Sequence, residues 1–436
     1  MKCGESNIIG RKSEKAIGLK GSVMKRIGLL VLGLAVALLA SCAAAIPVEE
    51  GASGVADGGV DLSSVEPDSN LTEGCMEVYD PDVDYFPHKV SPNYASGWSV
   101  EYHNYYKVLT LHNPWRGAEE TFQYLLVQCG APVPEGFGEI PAIEVPVRTV
   151  AALTTTVLPH LNELGVLERL VAVDRFDNVN TPEVRQLIDG GSLQEAGTGA
   201  GVNTEVLIDV DPQLIVTFAY GNVEYDTHPK LIEAGLPVAL TAGYMETSPL
   251  GRTEWLKVSA LFFNQEERAN SVFDGISGRY AEMAELAAGV EERPTVLVGY
   301  ARRESWRVPG GGSYFARYIA DAGGNYLWRD DESTGSIPLS MENVFEVASE
   351  ADVWLPNTSY WHSANDVLGA DERYASLTAV ERSSVYSNNA KLNEWGGNDY
   401  WETGVANPDL VLADLIKIFH PDLLPEHELI WFQQLD

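Results

Sequence analysis

Asn203-Thr-Glu-Val-Leu-Ile-Asp-Val-Asp-Pro-Gln-Leu-Ile-Val-Thr217 reads as a short helix over residues 204–210 that runs into a buried-type strand over residues 214–217. The same grammar recurs on both sides. Arg148-Thr-Val-Ala-Ala-Leu153 is an apolar run of strand length, followed by a polar Thr154-Thr-Thr156 and an amphipathic helix around residues 158–165. Leu170-Val-Ala-Val173 is again a strand, residues 182–188 a helix, and residues 231–234 lead into the strand Pro237-Val-Ala-Leu240. Strands alternating with helices predict a parallel sheet covered by helices.

Residues 254–288 contain no proline and space their apolar residues for a helix, which at 1.5 Å per residue would reach about 50 Å. Pro294 restarts the alternation. Strand Thr295-Val-Leu-Val298, a turn at Gly310-Gly-Gly312, helices over 314–322 and 341–348 and strand Val353-Trp-Leu355 follow. A last helix is expected over 408–419, with Asn407 as cap and Pro408 in its first turn. Upstream, residues 98–102, 106–111 and 122–127 are short, aromatic and β-branched, the mark of a small antiparallel sheet. The expected fold class is α/β: two Rossmann-like lobes bridged by one long helix, a ligand cleft between them, and an N-terminal antiparallel β addition.

Lys25-Arg26, the uncharged residues 27–40 and then Ser41-Cys42 form an export signal. Its apolar run covers only about 21 Å of helix, short of a bilayer core. Leu39-Ala-Ser-Cys42 resembles a bacterial lipobox, in which the cysteine is lipidated and the chain cut before it. A plain signal peptide or an uncleaved anchor is the alternative. Met24 is the expected start, since residues 1–23 add only a polar, basic extension. Beyond the signal two cysteines remain, Cys75 and Cys129. In an exported chain they are expected to form a disulfide, with two buried thiols as the alternative, and no CxxC or histidine cluster suggests metal.

Hydrophobic residues make up 45% of the chain, enough for a core, and the length calls for two lobes. Residues 1–41 hold seven Lys/Arg and two Asp/Glu, leaving 22 basic against 61 acidic residues in the exported part. Such a surface argues against nucleic acid as a partner. The expected organisation is a signal peptide over 1–41, a lipidated flexible tether over 42–72, a β-rich segment over 73–146 and an N-lobe over 147–253. A bridging helix over 254–290, a C-lobe over 291–405 and a C-terminal helix and tail over 406–436 complete it.

Val150-Ala-Ala-Leu-Thr-Thr155, Leu164-Gly-Val-Leu-Glu-Arg-Leu-Val-Ala-Val173, the stretch from Asn203 to Val216, Ala322-Gly-Gly-Asn325 and Ala406-Asn-Pro-Asp-Leu-Val-Leu-Ala-Asp-Leu-Ile-Lys-Ile-Phe-His-Pro421 share an order and spacing. Across residues 145–425 the chain resembles the siderophore, haem and cobalamin substrate-binding proteins of ABC importers, whose lobes are joined by a rigid helix. The resemblance implies a monomeric lipoprotein, not an enzyme, that captures an iron(III) chelate of siderophore type, holds no permanent cofactor, and delivers its ligand to a permease and ATPase complex. It also implies a permease-docking carboxylate on each lobe, matched here by Glu205 in Asn203-Thr-Glu205 and Glu342 in Ser340-Met-Glu342.

Ligand should lie where loops leave the carboxyl ends of the strands. The candidates are Thr155, Thr156, Arg175, Tyr220 and Tyr244 from the first lobe. The second lobe offers Arg302, Arg303, Trp306, Tyr314, Tyr360, Trp361, Tyr386 and Trp395. Arginine pairs with carboxylates or catecholates, and aromatic faces pack on chelate rings. Haem, cobalamin and a bare transition-metal ion are alternative ligands, although His160 falls inside a helix and only His228 and His362 sit on loops. A cleft enzyme is the rival class: Gly310-Gly-Gly-Ser313 lacks the Lys-Ser/Thr of a P-loop, and no Gly-x-Ser-x-Gly or His-Glu-x-x-His stretch occurs.

Overall fold

Ring-bearing and β-branched residues make strands of Trp98–Tyr102 (β1), Tyr106–Leu111 (β2) and Phe122–Gln128 (β3), which pair antiparallel in sequence order. The computed structural model describes residues 66–436 apart from residue 304; the signal peptide, the Met24 start, Cys42 and most of the tether lie outside the described residues. A fourth strand, Ala142–Val145 (β4), joins β3 in parallel, so this sheet is mixed where a wholly antiparallel one was expected. Residues 129–141 carry the chain back along the sheet, so that β4 runs in the same direction as β3. Cys75 and Cys129 are disulfide-bonded beside the sheet.

The N-lobe sheet contains Val150–Ala152 (β5), Leu170–Val173 (β6), Gln194–Glu195 (β7), Leu214–Thr217 (β8) and Val238–Leu240 (β9), all parallel, in the order β7-β6-β5-β8-β9. Every residue of β5 and β8 is buried, as expected of central strands covered on both faces. Helices Leu158–Glu163 (α1), Pro182–Asp189 (α2), Thr204–Val210 (α3) and His228–Glu233 (α4) connect them. In α3 the Asn203 side chain accepts from the amides of Glu205 and Val206, satisfying donors that the first turn leaves open.

The single helix expected over 254–290 is broken. Pro249–Thr253 (α5) and Trp255–Leu261 (α6) stop before residues 262–265, and Glu266–Ala288 (α7) begins afresh. Asn264 at the break has a φ of 56°, in the left-handed region. The cause lies about 155 residues upstream. Lys107 of β2, fully buried, donates to the Leu261 carbonyl (2.7 Å), Asn264 Oδ1 (2.9 Å) and Glu266 Oε1 (2.7 Å). The Phe262 carbonyl accepts from the Val147 amide. Carbonyls that a continuous helix would bond internally are bonded instead by the preceding segment.

The uninterrupted part is still a spine. α7 has 23 residues, about 35 Å. Ala269 near its start belongs to the N-lobe core, whereas Phe273, Tyr280 and Ala287 belong to the C-lobe core. Two buried carboxylates fasten the N-terminal segment alongside. Glu254 accepts from the amides of Asn93, Tyr94 and Ala95, and Glu246 from those of Ser96 and Gly97.

The C-lobe differs from a plain doubly wound plan. Thr295–Val298 (β10), Asn325–Tyr326 (β13) and Val353–Leu355 (β15) form a parallel sheet in the order β13-β10-β15. Between them the chain inserts an antiparallel sheet of Ala301–Arg302 (β11), Ser305–Pro309 (β12) and Ser336–Ser340 (β14). Tyr314–Asp321 (α8) and Met341–Ala348 (α9) flank these strands, and Pro408–Phe419 packs along α7. Asn407 stands at the N-cap of that last helix with Pro408 in its first turn, as expected, but its side chain makes no capping bond and its side-chain amide donates backward to the Thr403 carbonyl.

Candidate ligand cleft

The carboxyl ends of β5, β8 and β9 face those of β10 and β15 across a crevice. Two adjoining cavities fill it. The smaller, about 170 Å³, is lined by Thr154, Thr156, His160, Phe218, Tyr220, Tyr244 and Arg252, among others. The larger, about 460 Å³, is lined by Arg116, Tyr244, Tyr300, Arg302, Arg307, Tyr314, Asn357 and Trp401, among others. Tyr244 borders both. A volume of this size suits a small-molecule ligand.

Four guanidinium groups surround this space. Arg252 lies with its guanidinium 4.1 Å from the centre of the Tyr314 ring, and its Nε is buried without a hydrogen-bond partner among the described residues. Arg302 donates to the Tyr300 hydroxyl at 2.8 Å. Arg116 and Arg307 line the larger cavity. None of the four forms an ion pair among the described residues. Arg148, Arg169, Arg279, Arg317 and Arg382 each meet a carboxylate, whereas Arg268 and Arg293 donate to backbone carbonyls. In a chain of formal net charge −34, four guanidinium groups at one crevice, without ion pairs among the described residues, could together hold an anion. Glu246 also borders the larger cavity, but its oxygens are taken by the Ser96 and Gly97 amides and the Trp255 indole.

Burial pushes the Tyr244 hydroxyl up to about 12, and it donates to the Ala219 carbonyl at 2.6 Å. It therefore presents a ring, not a phenolate, to the cleft. Burial depresses His160 to about 4, so its imidazole is neutral, 3.0 Å from the Ser259 hydroxyl. His228 is wedged against Trp115 and Phe122, and His362 lies beside Asn389 in the other lobe. The one grouping of potential metal ligands among the described residues is Cys75, Cys129 and Glu144, whose two sulfurs are bonded to each other.

Of the residues expected to touch ligand, Thr156, Tyr220, Tyr244, Arg302 and Tyr314 line the cavities, and Thr155 adjoins them. Others are placed elsewhere. Trp306 is completely buried: β12 points it inward, its indole donates to the Val298 carbonyl, and it packs on Trp354 and Tyr374. Trp361 joins the same cluster. Tyr386 lies on a two-residue strand paired with residues 433–434, packed against the C-lobe core. Arg175 pairs with Asp177, and Trp395 lies under the Arg185 guanidinium at the seam of the lobes. Arg303 and Tyr360 are exposed, Arg303 at a turn with a φ of 58°. Glu205 and Glu342 are exposed in the first turns of α3 and α9.

Arg252, Arg116 and Arg307 were missed. Arg252 sits in a five-residue helix after β9, Arg116 on the N-terminal addition, and Arg307 in a strand not foreseen. No local pattern marks them. The seam itself is held by a loop over 393–405. Glu402 accepts from the Asn180 amide (2.8 Å), the Thr181 amide (2.7 Å) and the Thr181 hydroxyl (2.5 Å), and Asn393 donates to the Asp177 and Val179 carbonyls.

Residues 150–392 match the family described as periplasmic binding protein. An uncharacterized lipoprotein of Methanocaldococcus jannaschii is 29% identical over 245 residues, 55% of this chain and 56% of that protein, so the match spans little more than half of that relative. A second uncharacterized lipoprotein of the same organism is 24% identical over 314 residues, 69% of this chain and 76% of its own. The crystal structure of a periplasmic heme-binding protein from Pseudomonas aeruginosa superposes with a TM-score of 0.50 at 15% identity, covering 66% of this chain and 98% of that one, a likeness of fold. With its two α/β lobes, its crevice and more than half its length matched, the chain belongs to the periplasmic binding protein family.

Proposed function

We propose that this protein is an extracytoplasmic lipoprotein, anchored through Cys42, that captures an anionic metal chelate of the iron(III)–siderophore type between its lobes. The observation that carries this reading is the set of four arginines, Arg116, Arg252, Arg302 and Arg307, around one crevice, without carboxylate partners among the described residues. Each charge-assisted hydrogen bond from such a group to a ligand oxygen contributes about 1.5–3 kcal/mol. Tyr244, Tyr300 and Tyr314 supply ring faces for the chelate. The spine α7 and the seam around Glu402 favour a small closing motion over a wide hinge. The captured ligand passes to an ABC permease, which docks on Glu205 and Glu342.

Intrinsic fluorescence of the ten tryptophans tests the reading against ferric tris-catecholate, ferric tris-hydroxamate, haem and cobalamin. The negatively charged ferric chelate should bind best, weaken as salt rises, and bind at least tenfold more weakly to R252A. Equal binding of charged and uncharged chelates, or an R252A protein with unaltered affinity, would overturn it. Reversing charge in E205K/E342K should abolish uptake and leave affinity intact; lost affinity would place those carboxylates in the ligand site.

A further inference from the structure

The connection between β2 and β3 lies outside the residues matched to the family, yet it touches both lobes at the mouth of the cleft. Trp115 packs on Phe122 and His228 and lies against Gly221, in the loop that leaves β8. A Cβ at Gly221 would come within 2.4 Å of the Trp115 ring, and its φ of 76° also favours glycine. The next residue, Arg116, reaches the opposite lobe. Its guanidinium lies against Gly335, just ahead of β14, where a Cβ would come within 2.1 Å of Nη2. Two successive side chains of one loop thus rest on two bare backbone positions, one in each lobe.

Arg116 lines the larger cavity and has no hydrogen-bond or ion-pair partner among the described residues. The sheet that carries it is not free to drift, because Glu246, Glu254 and Lys107 tie it to the N-lobe by buried bonds. Arg116 and Tyr244 line the same cavity.

We infer that the β2–β3 loop is a third wall of the ligand site and that Arg116 is a specificity-determining residue, favouring polyanionic over uncharged chelates. The inference rests on the reading of the cleft as an anion-binding site, and it assigns Arg116, the one of the four arginines that comes from outside both lobes, the discrimination between charged and uncharged chelates. Gly221 and Gly335 are the clearances that admit the loop.

The test uses the whole exported chain, with ferric tris-catecholate as the anionic probe and ferric tris-hydroxamate as the uncharged one. R116A should weaken the tris-catecholate by about tenfold or more, with a shallower salt dependence, while the melting temperature and any tris-hydroxamate binding stay unchanged. R116K, which keeps the charge but not the planar fork, should recover part of the loss. If R116A binds tris-catecholate like the unmodified protein while R252A does not, the cleft reading stands and the third wall is wrong. Equal losses for both probes, or a lowered melting temperature, would assign Arg116 a structural role and overturn the inference. Failure of the unmodified protein to bind tris-catecholate would remove both.

Discussion

Replacing Lys107 with methionine removes the ammonium that holds the N-terminal sheet against the break in the spine. All three of its protons are used, on the Leu261 carbonyl, Asn264 Oδ1 and Glu266 Oε1, and both members of the ion pair are completely buried. In K107M, Glu266 keeps the Asn70 amide at 2.8 Å but loses the Lys107 ammonium, its one cationic partner among the described residues, and two buried oxygens lose their donor. Breaking a buried pair from one side costs about 3–5 kcal/mol, because the remaining charge stays desolvated. E266Q should cost a similar amount. The double replacement K107M/E266L removes both charges, so its loss should fall well below the sum of the two single losses. Urea unfolding followed by tryptophan fluorescence gives these values, and limited proteolysis reports whether residues 73–146 come loose. A K107M loss below about 1 kcal/mol, or a double variant that loses the full sum, would refute the idea that this buried cluster sets the break.

Other outcomes follow from single features. Burial raises the Glu402 carboxyl from its ordinary value to about 7, against the pull of the Asn180 and Thr181 donors. Because its folded value lies above its unfolded one, the folded state holds the proton more tightly; stability should therefore fall by up to about 3 kcal/mol as pH rises from about 4.5 to 7, then level off. Melting temperatures of E402Q across that range should lack this limb, and identical profiles would contradict the assignment. The Cys75–Cys129 bond closes a loop with a separation of 54 residues, so C75S/C129S should lose roughly 2–4 kcal/mol in urea unfolding; an unchanged midpoint would contradict that. W306A should cost about 3–5 kcal/mol of stability with little change in chelate affinity, since its ring faces the core. Selective loss of affinity would return Trp306 to the cleft.

The alternation of strands and helices was legible because it is written locally. Residues 204–210 and 214–217 carry the helix and strand periods in their own side chains, and so do residues 295–298 and 353–355. The break at residues 262–265 was not, since nothing in Phe262-Phe-Asn-Gln265 opposes a helix as strongly as Lys107 does from another sheet. Nor was the inserted sheet: Ser336-Ile-Pro-Leu-Ser340 is short, half polar and interrupted by proline, so its pairing with β12 is a tertiary fact. Aromatic residues after strands were a poor guide to ligand contact. Trp306 and Tyr314 look alike in sequence, yet β12 turns one inward while the loop after Gly312 opens the other to the cavity. Arg116 and Arg252 were invisible for a different reason: what sets them apart is their place on the cleft wall, a property of three dimensions that no local pattern carries.

Capture between the lobes is tested most directly by locating the metal. Crystals of the exported chain grown with ferric tris-catecholate would show the iron by anomalous scattering. The iron peak is expected inside the crevice, between Tyr244 and Tyr314, with chelate oxygens reached by the guanidinium groups of Arg252 and Arg302. A peak on the outer surface, or iron stripped of its chelate and held directly by protein side chains, would contradict the capture of an intact anionic chelate.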